Sequence, residues 1–337
     1  MVNKNIRPFL VNIFLLLAAV LLSIAVGSVS IPFQTVIQVL WHGNNSTAES
    51  VFKTILWDLR VPRTCLMLLT GAALAGSGCA YQGLFRNPLA DPYLIGSASG
   101  AGLGAILAIT LHWPATLSGF LAVPIAAFLG ASLTVLLVFA IARAGKTTPV
   151  TTLILAGVAV SSFATALTSF LLINATGELR RAIIWLAGGS TLTGWQPVMG
   201  AFPYILIGLG ILLSMGHALN VLQFGDEQAQ QLGLRVPFFR TLIILAATLS
   251  TAAAVAFTGI IGFVGLMVPH IMRSLWGGDY RHLLPLAMLG GATFLLTADV
   301  LARVLLAPQE IPVGIITALC GAPFFLFLLR HTKQNYW

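Results

Sequence analysis

This sequence predicts an all-α, polytopic membrane fold of about ten transmembrane helices, and three features carry that prediction. Only 8% of the 337 residues are charged and 58% are hydrophobic, whereas a soluble domain is about a quarter charged. Apolar runs recur along the chain, the first being FLVNIFLLLAAVLLSIAVG at residues 9–27, and ~18 or more such residues read as a span. The 17 Lys and Arg residues, which set a formal charge of +8, also sort by location in the way cytoplasmic loops of membrane proteins do.

The spans are expected near 9–27, 64–83, 93–111, 117–142, 150–173, 198–215, 238–257, 259–273, 283–303 and 311–330. Lys4 and Arg7 ahead of the first run imitate a signal peptide. That run is long for one and further spans follow, so it reads as an uncleaved first span. The pair 238–257 and 259–273 is separated by Gly259, and the second member holds Gly262, Gly265 and Pro269. Short segments interrupted by Gly and Pro often belong to discontinuous helices beside a transport path. With both termini cytoplasmic, eleven basic residues fall inside and six outside, Lys53, Arg60, Arg63, Arg180, Arg181 and Arg303. Fusing 238–273 into one crossing would break that bias.

The extramembrane stretches 28–63, 174–197 and 216–237 are too short for a core of their own, so residues 1–337 read as a single transmembrane domain. LRVPRT at 59–64 returns as LRVPFFRT at 234–241, each before a span. The two would lie on opposite sides of the membrane, as in an inverted repeat. Cys65, Cys79 and Cys320 all sit in apolar runs, a pattern that argues against a disulfide framework or a metal site.

Several motifs are decoys. ARAGKTT at 142–148 imitates the end of a phosphate-binding loop, but Ala140 stands where the first Gly is required and no strand precedes it. GSASGAGLG at 96–104 lacks the strand–turn–helix setting of a dinucleotide loop. Its Gly96, Gly100 and Gly104 recur every fourth residue, which suits close approach of two membrane helices. Ser99 and His270 share no motif of an intramembrane hydrolase. Asp299 is the one carboxylate that would serve ion coupling, and Arg303 four residues on neutralises it. Transport driven by an energised partner therefore leads over the alternative, a self-sufficient ion-coupled carrier.

FGDEQAQQLGLRV at 224–236 is a polar island on the inner side. As a helix, 226–232 presents Asp226 and Gln230 on one side and Ala229 and Leu232 on another, with Gly225 and Gly233 as breakers. That suits either docking into a partner's groove or an ordinary interfacial helix. Arg60, Arg63 and Arg303 oppose the usual charge bias, so they point to an acidic partner outside or to pairing with Asp58, Glu310 or lipid phosphate. Ser161, Thr165, Thr168 and Ser169 share one face of the 150–173 span, which suits a polar path or interhelical hydrogen bonds.

LRVPRT, YQGLFRNPLADPYLIGSASGAGLGA, GDEQAQQLG, GFVGLMVPHIMR and PQEIPVGIITALCGAPFFLFLLR occur in this order from about residue 55 to the C-terminus. Together they resemble the FecCD-type permeases, the membrane subunits of ABC importers for iron–siderophore complexes, haem and cobalamin. The resemblance implies ten helices per subunit in a bacterial inner membrane. It implies a second permease subunit, two cytoplasmic ATPase subunits and an external substrate-binding protein, with no bond chemistry, cofactor or metal on this chain. It implies that Gly225, Asp226, Ala229, Leu232 and Gly233 form the helix that receives the ATPase stroke. Arg60, Arg63 and Arg303 would meet the binding protein. Asn87, Leu89, Val150 and Thr151 would form the inner gate, and the fifth span would line the path. Iron–siderophore is the favoured cargo, and no nucleic-acid partner is implied.

Overall fold

In the computed structural model, residues 6–42, 50–113, 119–143, 149–173, 175, 177–189 and 192–333 are described, and among them every regular element is helical. The helices are α1 (Arg7–Ala25), α2 (Phe33–His42), α3 (Ser50–Thr54), α4 (Val61–Phe85), α5 (Ser97–Thr110), α6 (Gly119–Ala142), α7 (Val150–Ile173) and α8 (Leu179–Leu186). They continue with α9 (Gln196–Ser214), α10 (Gly216–Leu222), α11 (Asp226–Gln231), α12 (Val236–Thr258), α13 (Val264–Trp276), α14 (Tyr280–Val304) and α15 (Val313–Lys333).

Seven of these are long and apolar enough to cross a membrane: α1, the continuous helix from Ser50 to Phe85, α6, α7, α9, α12 and α14. The other three expected positions hold α5, α13 and α15. α5 has 14 residues and α13 has 13, about 20 Å each at 1.5 Å per residue, short of the ~30 Å hydrocarbon core. Both follow non-helical backbone, and the missing length lies there. Residues 93–96, expected in a span, are turns before α5.

The helix from Ser50 to Phe85 corrects another boundary. Its charges placed residues 28–63 outside the spans, yet residues 33–42 are helical and 50–60 run straight into α4 through a π-helical stretch, Ile55–Arg60. The helix passes through Arg60 and Arg63 because both side chains are paired within the fold.

The most Leu-, Ile- and Phe-rich helices are not the core. α4, α12 and α14 are mostly buried, whereas α1, α6, α7 and α9 are mostly exposed. The buried three carry the small residues: TGAALAGSG in α4, LSTAAAVA in α12 and GGAT in α14. Lipid tails are as apolar as Leu, so helices associate in a bilayer through close packing of small residues. α4 packs against both α14 and α12.

The α5–α6 pair obeys the same rule, as the Gly96/Gly100/Gly104 spacing predicts. A Cβ on Gly100 would stand 2.4 Å from Gly130 O, and one on Gly104 would stand 2.1 Å from Ala126 O. LRVPRT and LRVPFFRT differ in setting: Pro237 lies in the first turn of α12, whereas Pro62 lies within the continuous Ser50–Phe85 helix, just after its π-helical stretch. The three cysteines are unpaired.

α12 and α13 are separate helices. Between them Gly259 has φ 77° and Phe263 has φ 69°, and the break is filled from elsewhere. Tyr93 donates its hydroxyl to Ile261 O at 2.9 Å and accepts from Ile261 N at 3.3 Å. Non-helical backbone at membrane depth needs such internal partners.

Gly104→Leu is expected to cost about 1–3 kcal/mol through overpacking, lowering the thermal midpoint in detergent. Gly210→Leu, where nothing lies within 4 Å, is the control and should leave the midpoint unchanged.

Candidate functional site

Contacts define two ends of the bundle. At one end, α1 stops and α4 starts, beside the end of α14 and the following loop. The last carbonyls of any helix lack intrahelical donors, and in a bilayer that deficit is costly. Two arginines from other helices supply the donors for α1. Arg60 donates to Ile24 O at 3.0 Å, to Ala25 O at 2.8 Å and to Val29 O. Arg303 donates to Ser23 O and Val26 O, both at 3.1 Å, and to Ser23 Oγ at 3.0 Å. A cation also sits favourably at the negative end of the helix dipole.

Asp299 joins this frame together. Its carboxylate is fully buried. Oδ1 accepts from Arg63 Nε at 2.9 Å and lies 2.9 Å from Nη2, while Oδ2 lies 3.1 Å from Arg303 Nε. The expected Asp299–Arg303 pair is therefore present, with Arg63 as a second partner from a different helix. Arg63 also donates through Nη1 to Glu310 Oε2 at 2.6 Å, one of the pairings that the sequence leaves open. The three outer arginines thus differ in accessibility. Arg60 and the Arg303 side chain are about 5% exposed, whereas the Arg63 side chain is 33% exposed. Their spacing gave no sign of this difference. Beside Arg63 lies a cavity of about 340 Å³, lined by Asp299, Glu310, Met67, Ile184, Thr193 and Pro312 among others.

The opposite end gathers α10, α11, the start of α12, the end of α4 and the α13–α14 turn. α11 is a single short helix bounded by Gly225 (φ 101°) and Gly233 (φ 86°). Its exit is a Schellman turn: Gly233 N bonds to Gln230 O and Leu234 N to Ala229 O, both at 2.9 Å. Only glycine takes the left-handed position cheaply. Ala229 is fully buried and packs in the core with Val236, whereas Leu232 is 66% exposed. The expected grouping of Ala229 with Leu232 on one face is corrected: they face opposite ways because the helix ends at Gln231.

Asp226 is fastened to α12, with both oxygens accepting from Arg240 Nη2 at 3.0 and 2.8 Å. Arg240 is missed by local sequence reasoning because it lies 14 residues away. Asn220 belongs to the same unreadable set. It donates to Asp279 Oδ1 at 2.6 Å and accepts from Tyr280 N at 2.9 Å, while Gln223 donates to Gly83 O at 2.8 Å. The Arg281 guanidinium, helped by Asn220, holds the Asp279 carboxyl well below the usual carboxylate range.

The expected gate residues lie in two segments. Asn87 Oδ1 accepts from Leu89 N at 2.9 Å, an Asx turn that leaves Leu89 exposed. Val150 is half-buried and Thr151 exposed at the start of α7. No hydrogen bond or ion pair joins the two segments among the described residues. Along α7, Ser161, Thr165 and Ser169 line one open groove with Tyr93 and Ser162. Thr168 keeps the phase of this face, seven residues from Ser161, but it lies at the edge beside Ala164, buried and donating to Ala164 O at 2.8 Å, so it does not line the groove. Among the described residues α7 packs chiefly against α5 and α6, and Ser161, Thr165 and Ser169 are left along the open groove.

Two sequence decoys are placed. Ser99 donates to Gly96 O at 3.1 Å and His270 lies edge-on to Phe324, so they form no dyad. Residues 144–148 of the ARAGKTT stretch lie outside the described residues.

A small-residue core, a lipid-compatible periphery and a polar helix face left open define a multi-pass membrane protein of the transport class. The chain belongs to the FecCD transport family, whose family model matches residues 15–331. It is 46% identical to a cobalamin import system permease protein of Halobacterium salinarum, over 87% of this chain and 77% of that one. It is 39% identical to a hemin transport system permease protein of Yersinia pestis, over 99% of each. It is also 39% identical to an uncharacterized ABC transporter permease of Bacillus subtilis, over 98% of this chain and 96% of that one. A solved structure described as an inward-facing metal-chelate type ABC transporter superposes with a TM-score of 0.83 at 33% identity, covering 95% of this chain and 97% of that one. The chain is a permease subunit of a metal-chelate, haem or cobalamin type ABC importer. ATP hydrolysis in such importers belongs to a separate subunit.

Asp299→Ala, which strands two arginines, is expected to cost about 3–5 kcal/mol of stability, read as a lower unfolding midpoint in nanodiscs. Glu178→Ala, which breaks the exposed 3.7 Å pair with Arg181, should cost less than about 1 kcal/mol. The depressed Asp279 acts with a definite sign. Its contribution is complete at neutral pH and is lost only as pH falls through its lowered folded value. Hydrogen exchange at Tyr280, corrected for intrinsic rate, should therefore match at pH 7 and pH 5.

Proposed function

We propose that this chain carries an iron–siderophore complex across a bacterial inner membrane as one of two permease subunits, with two cytoplasmic ATPase subunits below and a substrate-binding protein outside. The family match over residues 15–331 supports the permease part of this reading. Relatives named for Fe(3+)-citrate import in Bacillus subtilis, 37% and 38% identical, favour a chelated-iron cargo. Asp299 supports drive by a partner, because its place between two arginines of this chain gives the carboxylate a structural role without ion coupling.

In this reading the α11 end faces the cytoplasm, with both termini, and α11 couples to the ATPase. Leu232, Glu227, Gln228, Gln230 and Gln231 form its exposed surface, and Leu232 suits an apolar slot on the partner. Gly225 and Gly233 set the helix bounds, Ala229 seats it on the core, and Asp226 ties it to α12. A push on α11 then reaches α12 as a rigid-body motion and travels toward the break at residues 259–263. Ser161, Thr165 and Ser169 face the second permease subunit across the path. Leu89 and Thr151 close its inner mouth, with Asn87 and Val150 fixing their backbones. The Arg63 end receives the binding protein. Residues 1–337 act as one permease domain, which needs no cofactor or metal of its own.

Leu232→Asp should weaken ATPase co-purification about tenfold or more, since burial of one Leu is worth about 1.5–3 kcal/mol, while the variant stays folded. Undiminished co-purification and uptake would remove α11 from the coupling role. Ferric-siderophore uptake in proteoliposomes holding all subunits tests the cargo. Accumulation by the permease alone, driven by an ion gradient, would overturn the proposal.

A further inference from the structure

Of Arg60, Arg63 and Arg303, Arg63 alone has a guanidinium at the surface, and its donors are divided between two carboxylates of unlike character. Asp299 is fully buried and holds the Nε and Nη2 edge. Glu310 is 41% exposed and holds Nη1 at 2.6 Å. Residues 304–310 are exposed throughout, so Glu310 swings away without disturbing the core. The cavity beside Arg63 leaves space for another side chain to reach the same nitrogen. Asp299 has no such freedom, because its other oxygen lies 3.1 Å from Arg303.

We infer that Glu310 is an internal competitor, a carboxylate of this chain that occupies Arg63 until a carboxylate of the docking partner displaces it. The inference rests on the reading of this end as the binding-protein face and adds its regulation. Asp299 fixes the plane of the guanidinium while Nη1 changes partner. Exchange of one carboxylate for another conserves charge and hydrogen bonds. Docking at this residue is therefore weaker than a free arginine would give, and release is correspondingly easier.

Two measurements on the full chain with its ATPase subunits in nanodiscs test this. The first needs no partner. Phenylglyoxal modification of Arg63, followed by peptide mass spectrometry, should quicken several-fold in Glu310→Gln. The second is the dissociation constant for the substrate-free binding protein encoded with this importer. Glu310→Gln should tighten it by about fivefold at low salt, the scale of one partly exposed ion pair, and the gain should shrink as salt rises. Arg63→Ala should weaken binding. If Arg63→Ala weakens docking but Glu310→Gln leaves both the modification rate and the affinity unchanged, or lowers the affinity, the competitor role is overturned and the docking face stands. If Arg63→Ala docks normally, the docking face falls and the competitor role falls with it.

Discussion

The carboxylate of Asp299 is the constraint on which one whole end of the molecule depends. A fully buried charge is tolerable only when it is paired, and Asp299 has Arg63 from α4 on Oδ1 and Arg303 of its own helix 3.1 Å from Oδ2. Arg303 turns its other donors, and Arg60 its own, to carbonyls at the end of α1. α1 otherwise lies at the edge of the bundle against α14, with few of its residues buried. Its attachment at this end is thus electrostatic and hydrogen-bonded, where the inner helices are held by close contact of small residues. One set of charges stabilises the fold and presents a single accessible guanidinium at the surface.

The other end solves a different problem with different means. α11 has six residues, far too few to be stable as an isolated helix. It persists because Ala229 is buried, because Asp226 is tied to Arg240, and because the Gly233 turn returns the chain directly into α12. These three attachments make α11 an extension of α12. The neighbouring Asn220–Asp279–Tyr280 cluster fastens α10 to α14 in the same way. A force on this end is therefore delivered to buried helices rather than absorbed in a loop. The first interruption after α12 is the break before α13, where Tyr93 reaches in from the segment after α4.

Small residues explain why the chain tolerates these arrangements within a bilayer. Glycines where α5 meets α6 bring backbones into contact, giving dispersion gains that lipid cannot match. α7 makes one such contact, where Gly157 meets the backbone at Leu94 and Ile95. Its Ser161/Thr165/Ser169 stripe is open along one groove, and a stripe of hydroxyls is poorly suited to lipid.

Much was legible in advance because it depends on local pattern. Apolar runs placed the long helices within a few residues, Gly every fourth residue marked the α5–α6 contact, and two glycines bracketed α11. Gly259 together with Gly262 and Pro269 marked the interruption after α12. Where local reading failed, the cause was long-range pairing. Charges at 58, 60 and 63 seemed to push the helix start to residue 64, but pairing with α1 and α14 let it run from Ser50. Thr168 is in phase with the polar stripe, but packing at the stripe's edge buries it beside Ala164. Composition, period and turn chemistry are properties of the chain itself, so they fixed the membrane class, the helices and the short polar helix. Which arginine stays reachable, which acid holds it and what fastens α11 are set by partners up to 280 residues apart, and only folding brings those atoms within bonding distance.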